Sequence, residues 1–236
     1  MWRKTRGQIG NMKMKKTAIL SICDRSGSMA SIIDDAIGGL NFFIEEQKKE
    51  EGEASLTLVL FDDQYDEIFV DTPIKDVPEI TRSVYSPRGS TALLDAIGKG
   101  VTSLERKLDA MPEDERPEVI IVSVLTDGQE NASREFNLQG IKSLIEEKRT
   151  KHNWVFMFLG AGEDSLKDAG SYGFAANMTS KFDATGIGAK AAYRSVSSMS
   201  SGMRGQGLGF ADDADMSMTY ASSMAEEVKL EADDKS

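Results

Sequence analysis

The sequence predicts an α/β fold built on a doubly wound, mostly parallel sheet with helices on both faces. Apolar runs of strand length recur at residues 17–23, 118–125 (EVIIVSVL) and 154–159 (WVFMFL), continuous as in strands buried on both faces. Between them lie stretches whose apolar residues repeat with helical period. Strand and helix alternate along the chain, the pattern of parallel strands joined by crossover helices.

Taken in order, residues 1–15 are basic and lack periodicity, which marks a flexible arm. The first strand spans 17–23. Ile32, Ile33, Ala36, Ile37, Leu40, Phe43 and Ile44 then form one helix face, closed by Glu50-Glu51-Gly52-Glu53. Residues 55–61 (SLTLVLF) and a shorter partner at 67–70, joined through Asp62-Asp63-Gln64, read as a hairpin at a sheet edge. Pro73, Pro78 and Pro87 make 71–90 a loop with at most a short turn. Leu93, Leu94, Ile97, Val101, Leu104 and Leu108 give the next helix its buried face, and Leu138, Ile141, Leu144 and Ile145 mark another. After the 154–159 strand come Gly160-Ala161-Gly162, a short helix from Asp164, a last short strand at 172–175 and a closing helix at 184–199. That helix faces inward with Ile187, Ala191, Ala192 and Val196. The domain is expected to span 16–204.

Residues 205–236 hold eight acids and two lysines. Met216, Tyr220, Met224 and Val228 recur there every four residues. Two alternatives stand: an amphipathic helix that docks on the domain or a partner, or an accidental stripe in a disordered tail.

The chain has 236 residues, 40% hydrophobic and 28% charged, enough for one domain with a core and modest extensions. A net charge of −11 disfavours nucleic-acid and anionic-membrane partners. One cysteine, Cys23, precludes an internal disulfide and suits a reducing compartment; one histidine, His152, precludes a multi-histidine zinc cage. No apolar run is long enough to span a bilayer. The basic start followed by an apolar run superficially suggests a signal peptide, but that run is too short and lacks a small-residue cleavage site before Asp24. The expected location is cytoplasmic.

The chemistry gathers at the strand ends. The first strand stops on Asp24-Arg25-Ser26-Gly27-Ser28, one carboxylate and two hydroxyls at alternating positions. The 118–125 strand runs into Thr126-Asp127-Gly128, and Pro87-Arg88-Gly89-Ser90-Thr91 precedes a helix. In an open doubly wound sheet, ligands bind beyond the carboxyl ends of the strands, where strand order reverses. If the two aspartate-ending strands are neighbours there, Asp24 and Asp127 face each other across one crevice. Their charges repel unless a cation sits between them. Asp24, Ser26, Ser28, Thr91 and Asp127 make an oxygen-only set of the kind hard cations take. Helix capping accounts for Ser26, Ser28 and Thr91 singly, but not for their coincidence with two strand-end aspartates.

These three loops, Asp24-x-Ser26-x-Ser28, Gly89-Ser90-Thr91-Ala92-Leu93-Leu94-Asp95 and Thr126-Asp127-Gly128, resemble in order and spacing the metal-ion-dependent adhesion site of the von Willebrand factor A-type (VWA) domain family. The resemblance covers about residues 16–203 and is to the bacterial or phage-type cytoplasmic members. It implies a six-stranded sheet with one antiparallel edge strand. It further implies direct metal contacts from Ser26, Ser28 and Thr91, with Asp24 and Asp127 binding directly or through water. The implied metal is Mg2+, with Mn2+ or Ca2+ as substitutes, and its last position is left for water or an Asp/Glu carboxylate of a protein partner. Arg25, Met29, Arg88, Gln129, Glu130 and Asn131 are expected at the rim. Arg25 and Arg88 are there either to grip an acidic group or to form intramolecular ion pairs. Asp95 is expected behind the site, holding the first loop by hydrogen bonds. An adaptor subunit of an ATPase-chelatase or stress-resistance complex is the alternative role.

An enzyme is not expected. In a Mg2+-dependent phosphohydrolase with Asp24 as nucleophile, a second acid normally stands two residues on and a lysine lies in the pocket. Here that position is Ser26, and no lysine accompanies the site. Gly160-Ala161-Gly162 lacks the third glycine of a dinucleotide fingerprint and is followed by Glu163 and Asp164. Cys23 is expected buried and inert, and His152 solvated.

Overall fold

A computed structural model of the protein describes residues 15–127, 129–161, 165–182 and 186–205. The strands are β1 (Thr17–Asp24), β2 (Ala54–Phe61), β3 (Tyr65–Pro73), β4 (Val119–Thr126), β5 (Val155–Ala161) and β6 (Thr179–Phe182). The helices are α1 (Ile33–Lys49), α2 (Leu93–Ala110), α3 (Leu138–His152), α4 (Ser165–Tyr172) and α5 (Gly186–Gly205). The strands form a single six-stranded sheet in the order β3-β2-β1-β4-β5-β6. All pairings are parallel except β2 with β3, the antiparallel edge.

Strand order reverses beside β1, which lies between β2 and β4. Cys23 pairs with Leu125, so Asp24 and the Thr126–Asp127 step leave the sheet side by side. β1 is buried at every position, and its side chains alternate between two cores. Ile19 and Cys23 join Leu40 and Phe43 of α1 and Val196 and Met199 of α5. Leu20 and Ile22 join Ile97 and Val101 of α2 and Ile145 of α3. A sheet covered on both faces explains why its central strands read as unbroken apolar runs.

The end of the chain departs from expectation. Residues 172–175 are not a strand: Tyr172 is the last residue of α4, and Gly173 follows at φ 96°. The Gly173 N–H donates to the Gly170 carbonyl at 3.2 Å and the Phe174 N–H to that of Ala169 at 3.1 Å, closing the helix as left-handed caps do. Phe174 is apolar because it packs edge-on against Phe156 and Phe158, with ring centres 6.1 and 5.0 Å away. The last strand is β6, whose sequence TSKF has no apolar run to announce it. α5 begins at Gly186 and extends to Gly205, six residues beyond the helix end expected at 199. Val196 is buried on its inner face; the side chains of Ile187, Ala191 and Ala192, the arm before Lys15 and the tail after Gly205 lie outside the described residues. No helix among the described residues is long and apolar enough to cross a membrane.

Candidate metal centre

At the end of β1 the Asp24 side chain is fully buried and held from two sides. Its Oδ1 accepts the Ser26 N–H at 2.6 Å, and its Oδ2 accepts the Thr126 hydroxyl at 2.6 Å. From below, the Tyr85 hydroxyl donates to the Asp24 carbonyl at 2.5 Å. Ser26 and Ser28 stand with their hydroxyl oxygens 3.0 Å apart, and Ser28 donates to Asp127 Oδ1 at 2.7 Å. A short 3-10 turn, Gly27–Ser31, carries Ser28 across to that contact. Asp24, Ser26, Ser28 and Asp127 thus meet in one place.

Thr91 arrives by backbone bonds. Gly89, at φ 68°, accepts the Gly27 N–H at 3.2 Å, which ties this loop to the first. Any side chain at Gly89 would run into the Asp63 carboxylate, so close approach and positive φ both call for glycine here. The Thr91 N–H donates to Asn131 Oδ1 at 2.9 Å, and its carbonyl accepts the N–H groups of Asn131 and Ala132 at 3.0 and 3.1 Å. Thr91 is 3% exposed.

Burial acts on both carboxylates. Asp24 is pushed up to about 6, mainly by loss of water, against the lowering effect of its bonds from Thr126 and Ser26; the Asp127 charge adds to the rise. Asp127 is raised as well, again mainly by burial, with its bond from Ser28 opposing. A buried and a half-buried carboxyl that resist ionising, beside the hydroxyls of Ser26 and Ser28, make a site that a divalent cation would neutralise. The 2.7–3.0 Å oxygen contacts among Ser26, Ser28 and Asp127 also suit a small ion, since neighbouring oxygens in an octahedron with bonds of ~2.0–2.1 Å stand roughly 2.9 Å apart. Among the described residues no group of three His, Cys, Asp or Glu side chains gathers to hold a metal. A cation held here would therefore meet hydroxyls and no more than two carboxylates.

Several rim residues differ from expectation. Arg25, 5% exposed, is turned sideways. Its Nε donates to Asp62 Oδ2 at 3.1 Å and its Nη2 pairs with Asp66. Arg88 joins the same two acids, at 2.6 Å to Asp62 and 3.2 Å to Asp66. Both arginines thus form intramolecular ion pairs. Met29 is fully buried beneath the first loop rather than at the rim. Asp95 holds the third loop, not the first: its carboxylate accepts the N–H groups of Arg134, Glu135 and Phe136 at 2.8–2.9 Å. Those bonds hold its pKa below the ordinary carboxylate value, against burial. Glu130 also turns inward, accepting the Leu94 N–H at 2.9 Å and the Ser133 hydroxyl at 2.7 Å. Gln129 is exposed, and Gly128 lies outside the described residues.

Sequence reasoning passed over Asp62, Asp66, Tyr85, Thr126 and Ser133. Asp62 had a usable signal, an acid directly after an apolar strand, the signature that singled out Asp24. Cys23 is buried, 3.4 Å from the Tyr193 hydroxyl, and its thiol is pushed up to about 12 by burial. His152 is exposed at the end of α3.

The sheet order, its single antiparallel edge and the switch point beside β1 decide the fold. It is the VWA fold. A von Willebrand factor type A protein from Catenulispora acidiphila superposes with a TM-score of 0.57 at 14% identity, covering 80% of this chain and 43% of its own. Proximal thread matrix protein 1 from the mussel byssus, with a zinc-occupied MIDAS motif, matches at TM-score 0.55 and 15% identity, over 80% of this chain and 46% of its own. Manganese-loaded TRAP protein from Plasmodium vivax matches at TM-score 0.54 and 18% identity, over 75% and 72%. The chain spans less than half the length of the first two. No family model and no curated protein matches the sequence.

Proposed function

We propose that this VWA-fold chain is a non-enzymatic, Mg2+-dependent protein-binding module. Asp24, Ser26, Ser28, Thr91 and Asp127 would hold the ion, and an Asp or Glu of a protein partner would complete its coordination. The observation that carries the reading is the run of oxygen contacts from Asp127 through Ser28 to Ser26, beside Asp24 on the neighbouring strand. Structural neighbours with zinc in a MIDAS motif or loaded with manganese support a divalent ion in this fold. When bound, the cation supplies an electrophilic position for an incoming carboxylate.

The protein's own residues set the terms of that contact. Thr126 and the Ser26 N–H fix the Asp24 carboxylate in one orientation. Asn131 fixes Thr91 through its backbone. The two arginines nearest the site are already committed to Asp62 and Asp66, so the partner's carboxylate is gripped at the ion rather than by a guanidinium. Ser26 stands two residues after Asp24, where a phosphohydrolase carries its second acid, which disfavours hydrolysis.

The test is calorimetric titration of the full chain with Mg2+ and Mn2+, followed by partner capture from cell extract with Mg2+ or with chelator. Saturable metal binding lost in Thr91→Ala, together with chelator-sensitive capture, is the expected result. Metal binding unchanged in Thr91→Ala, or capture indifferent to chelator, would overturn the proposal.

A further inference from the structure

The helix that follows Thr91 has no cap of its own. α2 starts after Ala92, whose methyl group accepts nothing, so the first N–H groups of the helix must find oxygens elsewhere. The loop after β4 supplies them. The Leu94 N–H donates to Glu130 Oε2 at 2.9 Å, and the Asp95 N–H donates to the Ser133 hydroxyl at 3.0 Å. A carboxylate is also the charge that a helix N-terminus favours.

Glu130 caps that helix while folding its own loop. Its Oε1 accepts the N–H groups of Ala132 and Ser133 at 3.0 and 2.7 Å, and its Oε2 accepts the Ser133 hydroxyl at 2.7 Å as well as Leu94. The exchange is reciprocal, because Asp95 of α2 accepts the N–H groups of Arg134, Glu135 and Phe136 from the same loop. One carboxylate is thus a shared corner of the second and third loops.

The corner is spaced evenly from two candidate ligands. Glu130 stands three residues after Asp127, and its partner Leu94 stands three residues after Thr91. On the other side of Asp127, the Thr126 hydroxyl is fixed on Asp24. Asp127 therefore lies between two fastened points, and the second is fastened to the start of the helix that follows Thr91.

We propose that Glu130 is a positioning residue that sets which ion the centre takes, by holding Thr91 and Asp127 at a spacing that favours Mg2+ over Ca2+. This rests on the reading that those two residues are metal ligands. Mg2+ demands a near-ideal octahedron with bonds of ~2.0–2.1 Å, whereas Ca2+ takes oxygens at ~2.3–2.6 Å in a looser array. Ligands on two loops joined at one carboxylate resist parting to admit the larger ion. Ligands on loops released from each other do not.

The test titrates the full chain calorimetrically with Mg2+ and separately with Ca2+, and reads the ratio of the two affinities. Glu130→Gln keeps the size of the side chain and one accepting oxygen, but cannot serve Leu94 and the loop N–H groups together. Its Mg2+ affinity is expected to fall about tenfold while its Ca2+ affinity changes by about threefold or less, so the preference for Mg2+ narrows. Ser133→Ala, which removes the acceptor for the Asp95 N–H and a donor to Glu130, should narrow it in the same direction. Asn137→Ala is the comparison: it removes the cap of α3, which accepts the Gly140 N–H at 2.9 Å. That variant should lose stability in urea and keep the wild-type ratio. A ratio unchanged in Glu130→Gln, or narrowed equally in Asn137→Ala, would overturn the inference and leave the metal centre standing. Absence of saturable binding of either ion to the wild type would overturn the metal reading itself, and this inference with it.

Discussion

Ser28 and Asp127 lie 99 residues apart in the chain, yet the Ser28 hydroxyl donates to Asp127 Oδ1 at 2.7 Å. That bond joins the loop after β1 to the loop after β4 and brings the two halves of the candidate site together.

Ser28→Ala removes one of the five proposed ligand oxygens and the hydrogen bond to Asp127. Ser28 is exposed, so the stability loss should be about 1 kcal/mol or less. Mg2+ affinity should fall at least tenfold, because an octahedral ion loses a ligand that the cramped loop cannot replace. Calorimetric titration and urea unfolding of the same preparation separate the two effects.

Asp24 gives the site a pH dependence with a definite sign. Its pKa is raised from 3.8 to about 6, so the folded chain holds the proton more tightly than the unfolded one. Without metal, the resulting stability is complete below about pH 4 and is lost as pH rises through about 6, with a ceiling of ~3 kcal/mol. In chelator, Asp24→Asn should therefore be more stable than wild type at pH 8, and the difference should vanish by about pH 4. Mg2+ affinity of the wild type should climb about tenfold per pH unit below 6, as the ligand must first lose its proton. Urea unfolding and calorimetry across pH 4–8 check both statements.

Asp62 is fully buried and receives Arg25, Arg88 and the Gln64 N–H, the last at 2.6 Å. Asp62→Ala would leave the buried Arg25 with Asp66 alone and loosen the first two metal loops together. A loss of about 3 kcal/mol is expected, the scale for removing one partner of a buried pair. Urea unfolding measures it. Asp66→Ala should cost less, because Asp66 is about half exposed.

Asp95→Ala would release three backbone N–H groups of the third loop at once. Hydrogen exchange at Arg134, Glu135 and Phe136 should accelerate by at least tenfold. Mg2+ affinity should weaken less than in Thr91→Ala, because Asp95 acts only through the loop that carries Asp127 and Asn131.

The architecture was legible in the sequence because a sheet covered on both faces writes itself as apolar runs, as at Ile19–Leu20 and Ile120–Val122. Asp24, Ser26, Ser28 and Asp127 were legible for a related reason: side-chain oxygens seldom crowd the end of a buried strand without a ligand in view. What escaped had no local signature. Phe174 has a strand-like apolar character, but it is a helix terminus packed beneath two aromatic rings. β6 carries mixed polar residues and is set by pairing with β5. The attachment of Asp95 to the third loop, and of both arginines to Asp62, depends on contacts between residues 22–41 positions apart. Local pattern says nothing about which of several nearby acids a guanidinium will choose.

The central position of β1 has a consequence for how the protein comes into being. Its neighbour β4 lies about a hundred residues downstream, and closing so long a loop is slow compared with winding the helices between. A nascent chain that has made Asp24, Ser26 and Ser28 but not yet Asp127 has only half a grip on an ion. Metal affinity at the proposed site would therefore arise only with the zipping of β4 onto β1, so a metal-loaded molecule would be one whose two central strands are already paired.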